Sequence, residues 1–182
     1  MKRPMLASAI AVALLAGCAG APNQPTATNM VDPANFADRV ANDDMTEMAM
    51  ARLALDRASS ADVRGFAQHM MADHMADQHR LDTVAAQSGA LLPQELSLAD
   101  QIEIDKLANL TGRDFDQAYM DRMVTDHRED FRAFESAANG GTSPVAQFAR
   151  DSLPRVRSRL EQAETVDVLV DGGMAKQAES FD

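Results

Sequence analysis

Residues 61–88 read Ala61-Asp-Val-Arg-Gly-Phe-Ala-Gln-His-Met-Met-Ala-Asp-His-Met-Ala-Asp-Gln-His-Arg-Leu-Asp-Thr-Val-Ala-Ala-Gln-Ser88. At about 3.6 residues per turn, Val63, Phe66, Met70, Leu81 and Val84 fall on one face, and strand-like alternation is absent. Ser60 is a suitable N-cap, and Gly89 a suitable stop. The stretch therefore predicts a long helix with one buried face. That face also carries His74 and Asp77, two residues that do not belong in an apolar stripe. His69 lies to one side of it and His79 on the opposite face.

The same spacing extends in both directions. A first helix is predicted over 34–58, with Val40, Glu47, Ala51, Leu55 and Ala58 on one face. Leu91-Leu92-Pro93 reads as a loop, and Ser97 caps a shorter helix that runs to about Leu110. A third long helix is predicted from Asp114 to Ala138. Its stripe is Met120, Met123, Val124, His127, Phe131, Phe134 and Ala138, and it stops at Asn139-Gly140-Gly141. Ser143-Pro144 opens a fourth, predicted to run to about Glu164 with a kink at Pro154. Its buried face is Val145, Phe148, Ser152, Val156, Arg159 and Ala163. The expected fold is all-α: an up-and-down four-helix bundle over 34–166, with a short extra helix between helices two and three. From Val166 onward, Val-Asp-Val-Leu-Val followed by Gly-Gly gives mixed signals, and residues 167–182 are read as a C-terminal tail of undetermined structure.

Composition narrows the possible functions. The 182 residues carry 17 Lys+Arg against 28 Asp+Glu, a net charge of −11, which opposes binding to a phosphate backbone. Aromatics are 4 % with no Trp, so a base-stacking surface is not expected, and no nucleic-acid partner is predicted. The sequence has no Gly-x-Ser-x-Gly, phosphate-cradling glycine loop or His-Glu-x-x-His, so no catalytic residues are assigned and the balance leans away from an enzyme. The single cysteine excludes an internal disulfide.

Residues 1–17 combine a basic head (Lys2, Arg3) with an apolar run from Met5 to Ala16, shorter than the roughly 20 residues a membrane span needs. Leu15-Ala16-Gly17-Cys18 resembles the bacterial lipobox, which implies cleavage before Cys18 and lipidation of its sulfur. By the sorting rule of such lipoproteins, Ala19 in the next position implies the outer membrane, with the domain facing the periplasm and the lipid as the membrane attachment. Residues 18–33 then form a flexible tether, holding the domain on the order of 20 Å from the bilayer.

Glu47, His74, Asp77, His127 and Arg159 all fall on the inward faces of predicted helices. Burial of such groups is costly unless they are paired or metal-bound. Two readings fit. In one, Glu47, His74 and His127 are metal ligands, with Asp77 a fourth ligand or a support for the others; imidazole and carboxylate suit iron, zinc or manganese. In the other, no metal binds, and Arg159 pairs with Glu47 or Asp77 in a network that only fixes helix register. The 12 methionines would suit Cu(I), but are also ordinary core filler. Asp43-Asp44 and Glu129-Asp130 read as solvated acidic runs.

Separated motifs between Phe36 and Leu160 carry a family resemblance. They are Glu47; Leu53-Ala54-Leu55, Ala58 and Ser60; Val63-Arg64-Gly65-Phe66-Ala67 and Met70; and Asp73-His74. Further on come Gly112 with Phe115-Asp116-Gln117-Ala118-Tyr119, then Met123-Val124, His127, Phe148-Ala149 and Leu153-Pro154. Together they resemble a bacterial domain-of-unknown-function family, often labelled outer-membrane protein and described as ferritin-like. The resemblance implies no known substrate. It does imply that Glu47, His74 and His127 occupy family positions, whereas Arg159 stands where the family typically has histidine.

Overall fold

The computed structural model describes residues 33–179. The signal, Cys18 and nearly all of the tether lie outside the described residues. Five helices follow one another: α1 (Pro33–Arg57), α2 (Ala61–Ser88), α3 (Leu98–Ala108), α4 (Gly112–Ala138) and α5 (Pro144–Glu179). Among the described residues there is no strand, only an isolated bridge between Ala58 and Gly112. No described helix is long and apolar enough to cross a membrane.

The helix ends follow from local chemistry. The Ser60 hydroxyl accepts from the backbone N–H groups of Asp62 and Val63, satisfying donors that the first turn leaves free. Gly89 closes α2 in the left-handed region at φ 68°, where a side chain would be strained. Ser97 accepts from Asp100 N, and Ser143 from Ala146 N, at 3.1 Å each.

The long helices form a bundle in which α1 packs on α2 and α4, and α5 on α4 and α2, while short α3 leans mainly on α1. Two apolar clusters fill it. One contains Met50, Phe66, Met70, Phe115, Tyr119, Met120 and Met123; the other contains Phe36, Leu81, Phe134, Phe148 and Val156. Full burial of each large side chain stabilises by about 1.5–3 kcal/mol. α1 and α5 run from the second cluster to the first, whereas α2 and α4 both run from the first to the second. The alternation expected of an up-and-down bundle therefore does not hold: the connection containing α3 carries the chain back along the bundle, so α4 starts at the same end as α2. On α1, α2 and α4 the clusters are separated by buried polar residues. Asp44 and Glu47 lie between them on α1, His74 and Asp77 on α2, and His127 on α4. On α5, buried Arg159 lies between Val156 of one cluster and Ala163 of the other.

Two differences from the expected helix bounds have physical causes. α5 continues to Glu179, through residues expected to form an undetermined tail. Val166 and Val170 extend the Ala163 stripe and pack on the first cluster, a helical spacing masked by the period-two run Val-Asp-Val-Leu-Val. α4 begins at Gly112 rather than Asp114. Its buried Asp116 accepts from the backbone N–H groups of Ser59 at 3.0 Å and Ser60 at 2.9 Å, and from the Ser59 hydroxyl. One carboxylate thereby holds the α1–α2 turn to α4.

Candidate functional site

The polar layer splits into two groups. The first centres on Glu47, which is 1 % exposed. Its Oε2 lies 2.7 Å from His74 Nε2, and its Oε1 lies 3.4 Å from His127 Nδ1. These contacts are at ion-pair distance but off the N–H axes, so both Glu47 oxygens and His74 Nε2 lack an aligned hydrogen bond. One ligand atom from each of the three residues lies within 4.8 Å of the others.

The outer nitrogens of both imidazoles have partners of their own. His74 Nδ1 meets buried Asp44 Oδ1 at 2.7 Å, and His127 Nε2 meets Met70 Sδ at 3.3 Å. A carboxylate and a thioether can only accept, so each outer nitrogen carries the hydrogen. Neutral rings then turn bare nitrogens toward Glu47, and three lone-pair donors face one point. With protons on those nitrogens, the same atoms form ion pairs. Either way the centre demands positive charge.

The acid–base balance reflects this demand. Burial opposes ionisation of Glu47, but the charges of His127 and His74 outweigh it and hold the carboxyl below its usual range. Burial alone would push His74 down; the Glu47 charge and the Asp44 hydrogen bond raise it instead to about 10. Asp44 is raised, chiefly by burial. Tyr119, whose buried hydroxyl has no partner, is raised by burial and by the Glu47 charge. Asp126 is raised to about 6 and Asp130 well above its usual value, each by burial first and the Glu47 charge second.

The second group centres on Asp77. Arg159 and Arg155 donate to it, the latter at 3.4 Å, and Arg80 is ion-paired with it at 2.7 Å. Arg159 Nε also reaches Asp73 at 3.4 Å. Three guanidiniums surround Asp77, so it does not face the imidazoles, and the ligand or supporting role expected of it has no geometry behind it. Arg159 likewise pairs with Asp77 and not with Glu47.

Glu47, His74 and His127 therefore converge from α1, α2 and α4, while Asp77 and Arg159 form a separate pair between α2 and α5. Sequence reasoning missed Asp44 and Met70 as partners of the imidazoles. Asp44 was legible in the spacing, since it lies four residues after Val40 and three before Glu47, but Asp43-Asp44 read as a solvated run. Asp44 is 4 % exposed. Glu129-Asp130 misled in the same way: the Asp130 side chain is only 17 % exposed.

Two solved structures share the fold at low identity. A DUF305 fragment from Deinococcus radiodurans superposes with a TM-score of 0.64 at 14 % identity, covering 74 % of this chain and 93 % of the other. A candidate secreted DUF305 protein from Streptomyces coelicolor gives 0.58 at 16 %, covering 80 % and 92 %. No curated protein matches this chain. The family described as Domain of unknown function (DUF4142) matches residues 17–166, and the chain belongs to that family.

Proposed function

We propose that this protein is an outer-membrane lipoprotein, anchored through Cys18, whose periplasmic four-helix domain of ferritin-like type holds one transition-metal ion between Glu47, His74 and His127. The observation that carries this reading is the convergence of three buried lone-pair donors, each imidazole fixed by a partner on its far side. Ligands about 2.0–2.2 Å from a zinc-sized ion lie roughly 3–3.5 Å from one another. Separations of 2.7 and 3.4 Å between Glu47 and the imidazoles need only small side-chain movement to reach that. Two imidazoles and one carboxylate suit zinc or ferrous iron and leave positions open for water or a further ligand. Met70 touches the opposite nitrogen of His127, so its sulfur is not aimed at this point and a copper thioether site is disfavoured. The candidate secreted character of the Streptomyces coelicolor relative agrees with an envelope location.

A second reading rests on the Asp44–His74–Glu47 arrangement, a closed buried ion-pair chain that could serve only to fix helix register. Equilibrium dialysis of residues 19–182 against zinc or ferrous iron, followed by elemental analysis, separates the two. The metal reading expects close to one equivalent, lost in Glu47→Gln. Less than about a tenth of an equivalent for both metals would favour the register reading.

A further inference from the structure

A cleft between α1 and α4, with a volume of about 100 Å³, has Glu47 among its lining residues. Side-chain exposure rises from floor to rim: Glu47 2 %, Asp126 15 %, Asp130 17 %, Asp43 32 %, Arg122 38 % and Arg39 43 %. The walls are thus carboxylates that become more deeply buried toward Glu47, whose two oxygens have no aligned hydrogen-bond donor. The two guanidiniums sit at the mouth. Arg39 spans the cleft, with Nε 3.1 Å from Asp43 on its own helix and a terminal nitrogen 3.5 Å from Asp130 on α4. Arg122 is held by Asp126 at 2.6 Å.

We propose that this cleft is the passage by which a divalent cation reaches Glu47 from solvent, and that Arg39 is its gate. This rests on the metal reading above and adds a route to it. A narrow, low-dielectric cleft lined by five acidic side chains against two guanidiniums concentrates cations and accelerates their arrival. The guanidinium of Arg39 lies between the two carboxylates that an incoming cation meets first. Because Arg39 is half-exposed and its ion pairs are screened by water, swinging it into solvent is easy. An arriving cation replaces it on Asp43 and Asp130, then moves inward past Asp126 to the imidazoles.

The test is stopped-flow uptake of cobalt(II) by the full chain, followed by the visible absorption of the bound ion. Arg39→Ala is expected to load about fivefold faster, and the isosteric pair Asp43→Asn/Asp130→Asn about tenfold slower, within the range of electrostatic steering. Final occupancy should be equal in all three. Arg157→Ala removes the same charge at Phe131, away from the cleft, and should leave the rate unchanged. Circular dichroism of each variant checks that it is folded, and Arg39→Gln serves as a second variant at the gate. Full occupancy reached at one rate in every variant would overturn the passage and leave the metal centre standing. No uptake by the parent chain would overturn the centre, and the passage with it.

Discussion

Arg159 pairs with Asp77 rather than with Glu47, and this division leaves the buried carboxylate of α1 to two imidazoles. Had the guanidinium reached Glu47, its charge would have satisfied the centre and repelled a metal. Arg159 is raised above its ordinary value: burial opposes its charge, and the nearby Asp77 carboxylate more than restores it.

Asp77→Asn should therefore act on stability and not on metal binding. It removes the negative charge facing three guanidiniums, of which Arg80 and Arg155 can turn to water while Arg159 is nearly buried. The expected loss is about 1–3 kcal/mol, below that for a fully enclosed pair. Chemical denaturation checks this, and zinc affinity by competition titration should stay within about twofold of the parent.

Asp44→Asn should do the opposite. Asp44 accepts the His74 Nδ1 hydrogen and so keeps Nε2 toward Glu47. Replacement of such a carboxylate behind a ligating imidazole typically costs about 10–100-fold in metal affinity. The same competition titration reads the effect, and an affinity equal to the parent's would remove Asp44 from the account.

Stability of the metal-free protein should fall with rising pH. His74 keeps its proton to about 10 in the folded state but releases it near 6.5 when unfolded. Between those values the folded state binds more protons, so stabilisation present in full below 6.5 is lost as pH approaches 10. The expected loss is a few kcal/mol at most. Denaturation in chelator at intervals across that range measures it, and His74→Asn should flatten the slope.

Asp116→Ala should destabilise by about 2–3 kcal/mol, because it strands the backbone donors of Ser59 and Ser60 and the Ser59 hydroxyl at a part-buried turn. Thermal unfolding reads it. The turn lies at the far end of the methionine-rich cluster from the imidazoles, so metal stoichiometry should not change.

Much of this architecture is legible in residue spacing. The α2 stripe predicts Val63, Phe66, Met70, His74, Asp77 and Leu81 as buried, and only Val84 proves half-exposed. The convergence of Glu47, His74 and His127 was suggested by three separate stripes, because a polar residue in an apolar face has few satisfactory partners outside the layer it enters. Pairing within the layer was not legible. Spacing gives the face of a helix but not its height against a neighbour, so Asp77 could not be assigned to guanidiniums or imidazoles. Asp44 and Asp130 were hidden by charged neighbours, since an acidic pair looks solvated even when the helix turns one member inward. Asp116 escaped because its partners are backbone groups of a turn more than 50 residues away in sequence.

The most direct test of the central claim is X-ray absorption at the zinc edge on protein loaded with one equivalent of zinc. The account predicts two imidazole nitrogens and a carboxylate oxygen at about 2.0–2.2 Å, with the imidazole scattering reduced in His74→Asn. Zinc bound without imidazole, or an unchanged spectrum in that variant, would contradict it.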